Sequence, residues 1–409
     1  MTVDLLYSDT ERELRSAVAS LLADRAAPAA VLARTESPDT TDTALWHALA
    51  ADIGLAGLLV PEALGGAGAS ARELAAAAEE LGAALAPVPY LGSAATATAA
   101  LLSAAQSSAA HPEDGPAAAS LKRLAAGEVT AALAVGFDAA PGASVRSVVA
   151  RVSGPKPGDA AAGVTRLRGT IGAVADALAA DLLLVPADGV PQALYAVEAG
   201  AEGVRAAPVT SLDMTRQLAD ITLDDAPARL LVSGADAAAA VGAGLTAGAV
   251  VLAAEQLGLA QRCLDITVAY VKQRYQFARP VGSFQAVKHR LADLWTEIAQ
   301  ARAASRYAAA CLASGDPDVA VATALAKSAC CEVAVLAAEE CVQLHGGIGF
   351  TWEHPAHLYL KRAKASSVGY GTPGAHRAAL AALVDLPALR CRHIREILCP
   401  IYPGTLLVA

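Results

Sequence analysis

Three long runs without proline constrain the fold of this chain more than any other feature of its sequence. They span residues 237–273, 284–313 and 319–344, and the proline residues between them lie in short joints. In the second run apolar residues recur at steps of three and four, at Phe284, Val287, Leu291, Leu294 and Ile298. This spacing places them on one face of a helix. The sequence therefore predicts a bundle of long antiparallel helices.

Two other sequence patterns precede these long runs. Shorter helical patterns come first, and the sequence predicts helices over residues 10–23, 42–51, 71–85 and 92–107. Short β-prone runs follow, separated by Gly, Pro and Asp, at residues 145–152, 181–185, 192–197 and 217–223. In the last of these, Ala219, Ile221 and Leu223 alternate with polar residues. We therefore expect a mainly α protein with a middle β domain: an N-terminal helical domain (1–127), the β domain (128–233) and a C-terminal helical bundle (234–409).

The charge of the chain argues against nucleic acid as a partner. The formal net charge is −9 and the isoelectric point is near 5.4, and no run of basic residues is present. Binding to a phosphate backbone requires such a basic surface. We expect no nucleic-acid partner.

Two stretches bear on location. The N-terminus has no basic segment followed by an apolar one, so we expect no secretory signal and a cytoplasmic location. Residues 237–254 are uncharged, but they are mostly Ala and Gly and run into Glu255, Gln256 and Arg262. The transfer of Ala and Gly into lipid gains little free energy. We expect a buried helix there and no membrane span.

The cysteines predict no metal site. All seven lie between Cys263 and Cys399, without a CxxC pair, so we expect reduced thiols in the core. Cys391, His393 and Cys399 do not have a recognised zinc spacing, and a fourth ligand is missing.

Two segments of the last third carry residue types suited to a dinucleotide. Residues 274–289 read Arg-Tyr-Gln-Phe-Ala-Arg-Pro-Val-Gly-Ser-Phe-Gln-Ala-Val-Lys-His, and residues 343–354 read Gln-Leu-His-Gly-Gly-Ile-Gly-Phe-Thr-Trp-Glu-His. A guanidinium fork suits a diphosphate, and Phe rings can cover the edge of an adenine or a flavin. Adjacent glycines let backbone N–H groups approach phosphate oxygens. Each residue alone could instead be a surface cation, a core ring or a helix stop.

Together these segments resemble the signature segments of the flavin-dependent acyl-CoA dehydrogenase family. Residues 54–62, followed by Gly65 and Gly66, are similar to the N-terminal pattern of that family, so the resemblance covers nearly the whole chain. It implies the family's fold, with an N-terminal helical domain, a middle β domain and a C-terminal four-helix bundle. It also implies FAD as cofactor, 2,3-dehydrogenation of an acyl-CoA substrate, an electron-transfer acceptor and an oligomer.

The resemblance also assigns candidate cofactor-binding residues. In the family, the two matching segments reach across a dimer interface to the pyrophosphate and adenosine half of a neighbour's FAD. The candidates carried over from these segments are Arg274, Gln276, Phe277, Phe284, Gln285, Gln343, Gly346 and Gly347. Thr372, outside both segments, is a further candidate for cofactor binding.

The catalytic base implied by the resemblance is missing from both of its usual positions. Where the family usually has Tyr-Glu-Gly-Thr, this chain reads Gly369-Tyr370-Gly371-Thr372, and a free tyrosine with a pKa of about 10 is a poor base near neutral pH. Some relatives place the glutamate on the preceding long helix, at a position near Gly248. Glu255 lies about two turns further on and is a weak substitute.

The flavin contacts that each subunit normally makes to its own cofactor are also altered. The matching regions read Ala134-Val-Gly-Phe-Asp138 and Thr170-Ile-Gly-Ala-Val174, in place of the family's Thr-Glu-Pro-x-x-Gly-Ser-Asp and Trp motifs. Three interpretations follow. The chain is a base-lacking subunit that pairs with a paralogue, as in bacterial α2β2 acyl-CoA dehydrogenases; or it is a complete homo-oligomeric enzyme that uses Tyr370 or Glu255; or it is a flavin-free acyl-CoA-binding or scaffold protein.

Overall fold

A computed structural model describes residues 4–37, 39–107, 113–152, 165–188 and 192–386 of the chain. Cys391, His393 and Cys399, which were weighed as metal ligands, lie outside these ranges. The N-terminal part is helical. Its helices are α1 (Asp9–Arg25), α2 (Pro28–Thr35), α3 (Thr43–His47), α4 (Ala71–Ala84), α5 (Thr98–Gln106) and α6 (Pro116–Ala125), with π-helical turns at Ala48–Asp52 and Tyr90–Ala97.

Local capping explains where two of these helices begin. Ser8 precedes α1, and its hydroxyl accepts a hydrogen bond from the backbone N–H of Glu11, while the Glu11 carboxylate accepts one from the N–H of Ser8. Ser70 and Glu73 form the equivalent box at the start of α4. Such reciprocal bonds satisfy the free N–H groups of a helix end.

The middle of the chain forms one seven-stranded sheet that closes on itself. Its strands are β1 (Ala131–Leu133), β2 (Val148–Val152), β3 (Thr165–Ala175), β4 (Leu182–Asp188), β5 (Ala193–Glu198), β6 (Val204–Pro208) and β7 (Leu218–Ser233). The pairings run β4–β2–β3–β7–β5 and return to β4, with β1 also on β4 and β6 on β7. The alternation predicted for β7 is confirmed, since Ala219, Ile221 and Leu223 are all buried.

The C-terminal part is the predicted bundle of long helices. Its elements are α7 (Ala235–Gln273), a hairpin of β8 (Tyr275–Gln276) and β9 (Arg279–Pro280), α8 (Gln285–Ser314), α9 (Val319–His345), α10 (Ala356–Ser366) and α11 (Pro373–Leu383). The mainly α architecture with strands in the middle confirms the predicted fold class. The sequence did not predict α2, α6, β1, β3, β6, β8 or β9, and it gave no bounds for α10 and α11.

α7 joins the two helical parts because glycines let it approach α4 closely. A Cβ on Gly82 would lie 2.0 Å from the carbonyl oxygen of Glu255, and one on Gly258 would lie 1.8 Å from that of Glu79. α7 and the segment Val319–Phe350 are long and apolar enough to cross a membrane. Of their most apolar windows, 72% and 56% respectively are buried inside the protein. The apolar part of α7 therefore packs mostly against other parts of the protein.

Candidate functional site

Tyr370 lies in a tight loop between α10 and α11 and is held by its backbone. Its φ is +51°, in the left-handed region that bulky residues rarely adopt. Its N–H donates to the carbonyl oxygen of Phe137 at 2.6 Å, and its own carbonyl oxygen lies 2.8 Å from Nε2 of His376. The Tyr370 and Phe137 rings meet edge to face, with centroids 5.6 Å apart. These contacts direct the Tyr370 side chain into the protein, where it is 2% exposed.

The ring of Tyr370 lies directly against Gly248 of α7. A Cβ added at Gly248 would lie 2.8 Å from Cε2 and Cζ of Tyr370 and 2.8 Å from Oγ1 of Thr96. No real Cβ approaches other atoms this closely. Gly248 and Tyr370 are the two positions where the sequence lacks the expected base. They are therefore in contact in the fold, and the tyrosine ring fills the space beside Gly248.

The Tyr370 hydroxyl acts as a hydrogen-bond donor. It lies 2.9 Å from Oγ1 of Thr96, and the Thr96 hydroxyl donates its own proton to the carbonyl oxygen of Leu91. Tyr370 must therefore supply the proton between the two hydroxyls. Burial raises the pKa of Tyr370 to about 12, so the phenol stays protonated at neutral pH.

Glu255 faces a different set of residues, two helical turns from Gly248. Its carboxylate accepts a hydrogen bond from Arg362 of α10 at 2.9 Å and one from Arg216 at 2.5 Å. Arg362 also pairs with Asp213 at 3.2 Å, and all four side chains are buried. Burial acts to raise the pKa of Glu255, but the two guanidinium groups outweigh it and hold that pKa at about 2. Both oxygens of this carboxylate are therefore already occupied.

This buried ion cluster is a feature that the sequence did not reveal. Asp213 and Arg216 belong to the loop before β7, Glu255 to α7 and Arg362 to α10. The cluster joins the β domain to the helical bundle. Its members are separated by up to 149 residues, and no local spacing links them.

The first group of predicted cofactor-binding residues forms an exposed hairpin at the end of α7. Phe277 and Ala278 are its two turn residues, and both have positive φ, +53° and +60°. Such a turn matches the twist of a hairpin but is strained without glycine. Phe277 is 88% exposed, and its ring meets that of Phe284 edge to face at 6.2 Å. The guanidinium of Arg279 lies 3.8 Å above the Phe284 ring.

The second group lies at the end of α9. Gly346 ends this helix with φ +62°, and nothing lies within 4 Å of where a Cβ of Gly346 or Gly347 would stand. The backbone is therefore open to a close approach by another molecule. The Tyr270 ring stacks on that of His345 at 4.4 Å, so the end of α7 is packed against the end of α9. The structure thus brings the two predicted groups to one end of the bundle.

The side chains predicted to bind the cofactor at this end are free to contact another molecule. Within the described part of the chain, the side chains of Arg274, Gln276, Gln285 and Gln343 make no hydrogen bond or ion pair. Aromatic side chains surround them in exposed positions: Tyr275 (61%), Phe350 (77%) and Trp352 (61%), in addition to Phe277. We name this surface the hairpin face. Its exposed guanidinium and amide groups, rings and open glycine backbone fit a dinucleotide such as FAD.

The hairpin face and Tyr370 lie far apart. Gly248, which Tyr370 contacts, is 25 residues from the end of α7 at Gln273. At about 1.5 Å per residue this is roughly 35–40 Å. One chain therefore cannot place its hairpin face and its Tyr370 on the same ring system.

Thr372 is the one predicted cofactor residue that lies near Tyr370. Its hydroxyl accepts a hydrogen bond from the N–H of Ala375 at 3.2 Å and so caps α11. It also lines a cleft of about 840 Å³ between the β domain and the bundle, whose other walls include Asp138 and Arg146. Gly and Ala make up most of the remaining lining, including Gly136, Gly172 and Ala173. This cleft contains the two regions where the sequence departs from the own-subunit flavin motifs.

Among the described residues, no group of three or more His, Cys, Asp or Glu side chains is arranged to hold a metal ion. The five cysteines in these ranges, Cys263, Cys311, Cys330, Cys331 and Cys341, are buried free thiols.

Comparisons with known proteins point in one direction. Residues 8–111 match the model of the acyl-CoA dehydrogenase N-terminal domain, and residues 237–384 match that of the acyl-CoA dehydrogenase C-terminal domain. A relative, the acyl-CoA dehydrogenase IpdE2 of Mycobacterium tuberculosis, is 38% identical over 356 residues, which are 87% of this chain and 91% of the relative.

Two solved structures are similar over nearly their whole length. The ChsE4–ChsE5 complex from Mycobacterium tuberculosis contains a chain that superposes with a TM-score of 0.78 and 27% identity, covering 94% of this chain and 100% of that one. A variant of the Tcur3481–Tcur3483 steroid ACAD gives a TM-score of 0.76 and 32% identity, covering 92% of this chain and 98% of that one. The names of both structures join two proteins, ChsE4 with ChsE5 and Tcur3481 with Tcur3483.

Proposed function

The chain belongs to the acyl-CoA dehydrogenase family of oxidoreductases, and from this premise we propose that it is the base-lacking subunit of a heteromeric, FAD-dependent enzyme. One observation carries the proposal: the Tyr370 ring fills the space beside Gly248 where a catalytic carboxylate of either family arrangement would stand. A second subunit, a paralogue with the glutamate, supplies the base. Its substrate is an acyl-CoA thioester.

The chemistry requires a group that this chain does not offer. Dehydrogenation removes a proton from the carbon next to the thioester, and the base must be ionised near neutral pH and must reach that carbon. The phenol of Tyr370 is protonated and buried, and it donates its proton to Thr96. The hydride that leaves the neighbouring carbon would need an acceptor, which bound FAD would supply.

Glu255 is not a good replacement for the missing base. Its carboxylate is held between Arg216 and Arg362, and a pKa of about 2 makes it a weak proton acceptor. Removing Glu255 from these two guanidinium groups would leave charge unpaired in the core. We assign Glu255 a structural role, in joining the β domain to the bundle.

The contribution of this chain to the cofactor is its hairpin face. Arg274 and the amide side chains of Gln276 and Gln343 can bind the diphosphate and adenosine part of a FAD molecule held mainly by the partner subunit. Gly248 lies roughly 35–40 Å from the end of α7. At this distance the hairpin face cannot contact a flavin bound beside Tyr370 of the same chain, so it must bind the cofactor of a neighbouring subunit. The Gly- and Ala-rich cleft beside Thr372 offers few side-chain donors to a flavin of its own.

The two-subunit similarity supports the same arrangement. The ChsE4–ChsE5 complex and the Tcur3481–Tcur3483 steroid ACAD each join two proteins in their names. The alternative of a complete homo-oligomer would require Tyr370 or Glu255 to act as the base. The alternative of a flavin-free scaffold protein would leave the open backbone and unpaired side chains of the hairpin face without a ligand.

The proposal is tested by expressing the chain alone, the glutamate-bearing paralogue alone, and both together. Dehydrogenation of acyl-CoA substrates, measured with an artificial electron acceptor, is expected only in the co-expressed sample, together with a native mass equal to a sum of both subunits. Turnover by the isolated chain would contradict the proposal and would favour the homo-oligomeric enzyme.

A further inference from the structure

A buried amine lies in the bundle without a carboxylate partner. Lys327 of α9 is completely buried, and no ion pair within the described ranges includes it. Its Nζ lies 2.7 Å from Sγ of Cys331, 3.2 Å from the carbonyl oxygen of Ser366 and 3.4 Å from Oε1 of Gln256. Burial lowers the pKa of Lys327 by disfavouring the charged form. A buried amine of this kind is more often neutral than a surface lysine, and a neutral amine is a nucleophile.

Cys331 faces this amine one helical turn away, and its side chain is fully buried. Its Sγ lies 3.4 Å from Oε1 of Gln256. Cys331 is at the same time part of the lining of an open hollow of about 300 Å³, together with Glu339, Lys364 and Ser367. Because Cys331 lines this hollow, a small oxidant there is next to the residue.

The neighbouring cysteine provides a natural comparison. Cys330 is also buried, but its Sγ faces the carbonyl oxygen of Ala301 at 3.6 Å, with no amine in contact. Burial raises the pKa of the Cys330 thiol. Two adjacent thiols in one helix thus have different partners, and only Cys331 has a nitrogen beside its sulfur.

We propose that Cys331 and Lys327 are a modification site at which hydrogen peroxide produces a covalent sulfur–nitrogen cross-link. In the first step peroxide transfers one oxygen to the thiol, the O–O bond breaks, and a sulfenic acid and one water form. In the second step the Lys327 amine attacks this sulfur. The N–S bond forms, the S–O bond breaks, and the hydroxyl leaves as a second water with a proton from the amine.

The net reaction consumes one peroxide and removes two hydrogen atoms from the chain, which is a two-electron oxidation of sulfur. The placement of Nζ favours the second step, because the amine already contacts the sulfur and no backbone movement is needed. A thiol reductant reverses the cross-link by attacking the sulfur and releasing the amine.

The experiment uses the full-length chain, alone and in its complex, treated with hydrogen peroxide, alkylated and digested with trypsin. Trypsin cleaves after a free Lys327 but not after a cross-linked one. We expect a peptide that spans Lys327 and Cys331 uncleaved, lighter by two hydrogen atoms than the reduced sequence, and returned to normal cleavage by a thiol reductant. Cys331→Ala and Lys327→Met should each abolish it.

Cys330→Ala is the decisive control, because a disulfide between Cys330 and Cys331 would remove the same two hydrogen atoms. The cross-link should persist in Cys330→Ala at its wild-type yield. Loss of the two-hydrogen product in that variant overturns the proposal. So does wild-type protein in which Cys331 stays a thiol or becomes a sulfinic acid while trypsin still cleaves after Lys327.

Discussion

The ring of Tyr370 covers the backbone of Gly248, and a methyl group placed on that glycine would lie 2.8 Å from two ring carbons. Tyr370 and Gly248 are separated by 122 residues in sequence, yet both are positions where the resemblance to the family leads us to expect a catalytic glutamate. Because the two positions meet, a single aromatic side chain fills both. In the function that we propose, this contact is how the chain keeps the fold of the family without a base of its own.

The first prediction concerns this contact. Gly248→Ala should lower the free energy of unfolding by about 1–3 kcal/mol, because the new methyl group overpacks the Tyr370 ring and Thr96. Gly242→Ala is the matched control, since it lies on the same helix and its Cβ would meet nothing within 4 Å. It should be neutral or stabilising, as alanine favours helix over glycine. Chemical denaturation of both variants measures the difference.

A double variant tests the cause of that loss. In Tyr370→Ala the ring is absent, so adding Gly248→Ala should cost much less than it does beside the intact tyrosine. Equal costs in the two backgrounds would show that Tyr370 is not what restricts Gly248.

The second prediction is that Tyr370 is not the catalytic base. In the complex with the glutamate-bearing partner, Tyr370→Phe should leave turnover within a few-fold of wild type, and stability should fall by about 1 kcal/mol through loss of the hydrogen bond to Thr96. Removal of a true acid–base group would reduce turnover by about 100-fold or more. Steady-state kinetics of the complex distinguish these results, and a loss of that size would restore Tyr370 as the base.

Tyr370→Glu is the informative companion to this variant. It places a carboxylate at the position where the family usually has one. Activity that appears in the isolated Tyr370→Glu chain would show that only the base was missing from it.

The third prediction concerns the hairpin face. Arg274→Ala should weaken FAD retention by the complex by about 2 kcal/mol, because a diphosphate contact is lost. Arg274→Lys should recover only part of this, since the lysine lacks the bidentate fork. Equilibrium dialysis of FAD against each complex gives the affinities. Arg25→Ala on α1 is the control, and flavin affinity equal to wild type in both Arg274 variants would make Arg274 a surface cation only.

The fourth prediction is a pH dependence of the buried ion cluster. At neutral pH, Glu255→Gln should lower the free energy of unfolding by about 3–5 kcal/mol, because it leaves Arg216 and Arg362 without their carboxylate. The folded state lowers the Glu255 pKa from its ordinary 4.5 to about 2. Its contribution is therefore complete above about pH 4.5 and is lost as the pH falls toward 2.

The gap between wild type and Glu255→Gln should thus narrow when unfolding is measured at pH 3 in place of pH 7. Glu339→Gln is the control, because Glu339 pairs with Lys364 at the surface, where both are about half exposed, and such pairs contribute about 1 kcal/mol or less. A gap that stays constant over this pH range would mean that the Glu255 pKa is not lowered in the folded protein.

Helices could be predicted from the sequence more accurately than the sheet. The third long run was predicted as a helix over residues 319–344, and α9 is Val319–His345. The prediction is accurate because a long apolar run without proline favours a helix over other structures. β3 was not predicted, since its register shifts at Gly169 and again between Ile171 and Val174 interrupt the alternation that marks a strand.

The residues of the candidate site also differ in how far the sequence alone could predict them. The residues of the hairpin face lie in two continuous segments, so a sequence motif can reveal them. Both empty base positions could be named from the resemblance, but their contact depends on how α7 packs against the loop after α10. The link between Glu255, Arg216 and Arg362 joins three distant segments, and it becomes visible only in the folded chain.

The most direct test of the central claim is the flavin content of the purified chain, alone and in complex with its glutamate-bearing paralogue. The ratio of flavin to polypeptide follows from the visible absorption band and the protein concentration, and native mass gives the subunit composition. Our account predicts little flavin in the isolated chain and stoichiometric flavin per pair of unlike subunits in the complex. An isolated chain that is homo-oligomeric, carries one flavin per polypeptide and oxidises acyl-CoA would contradict it.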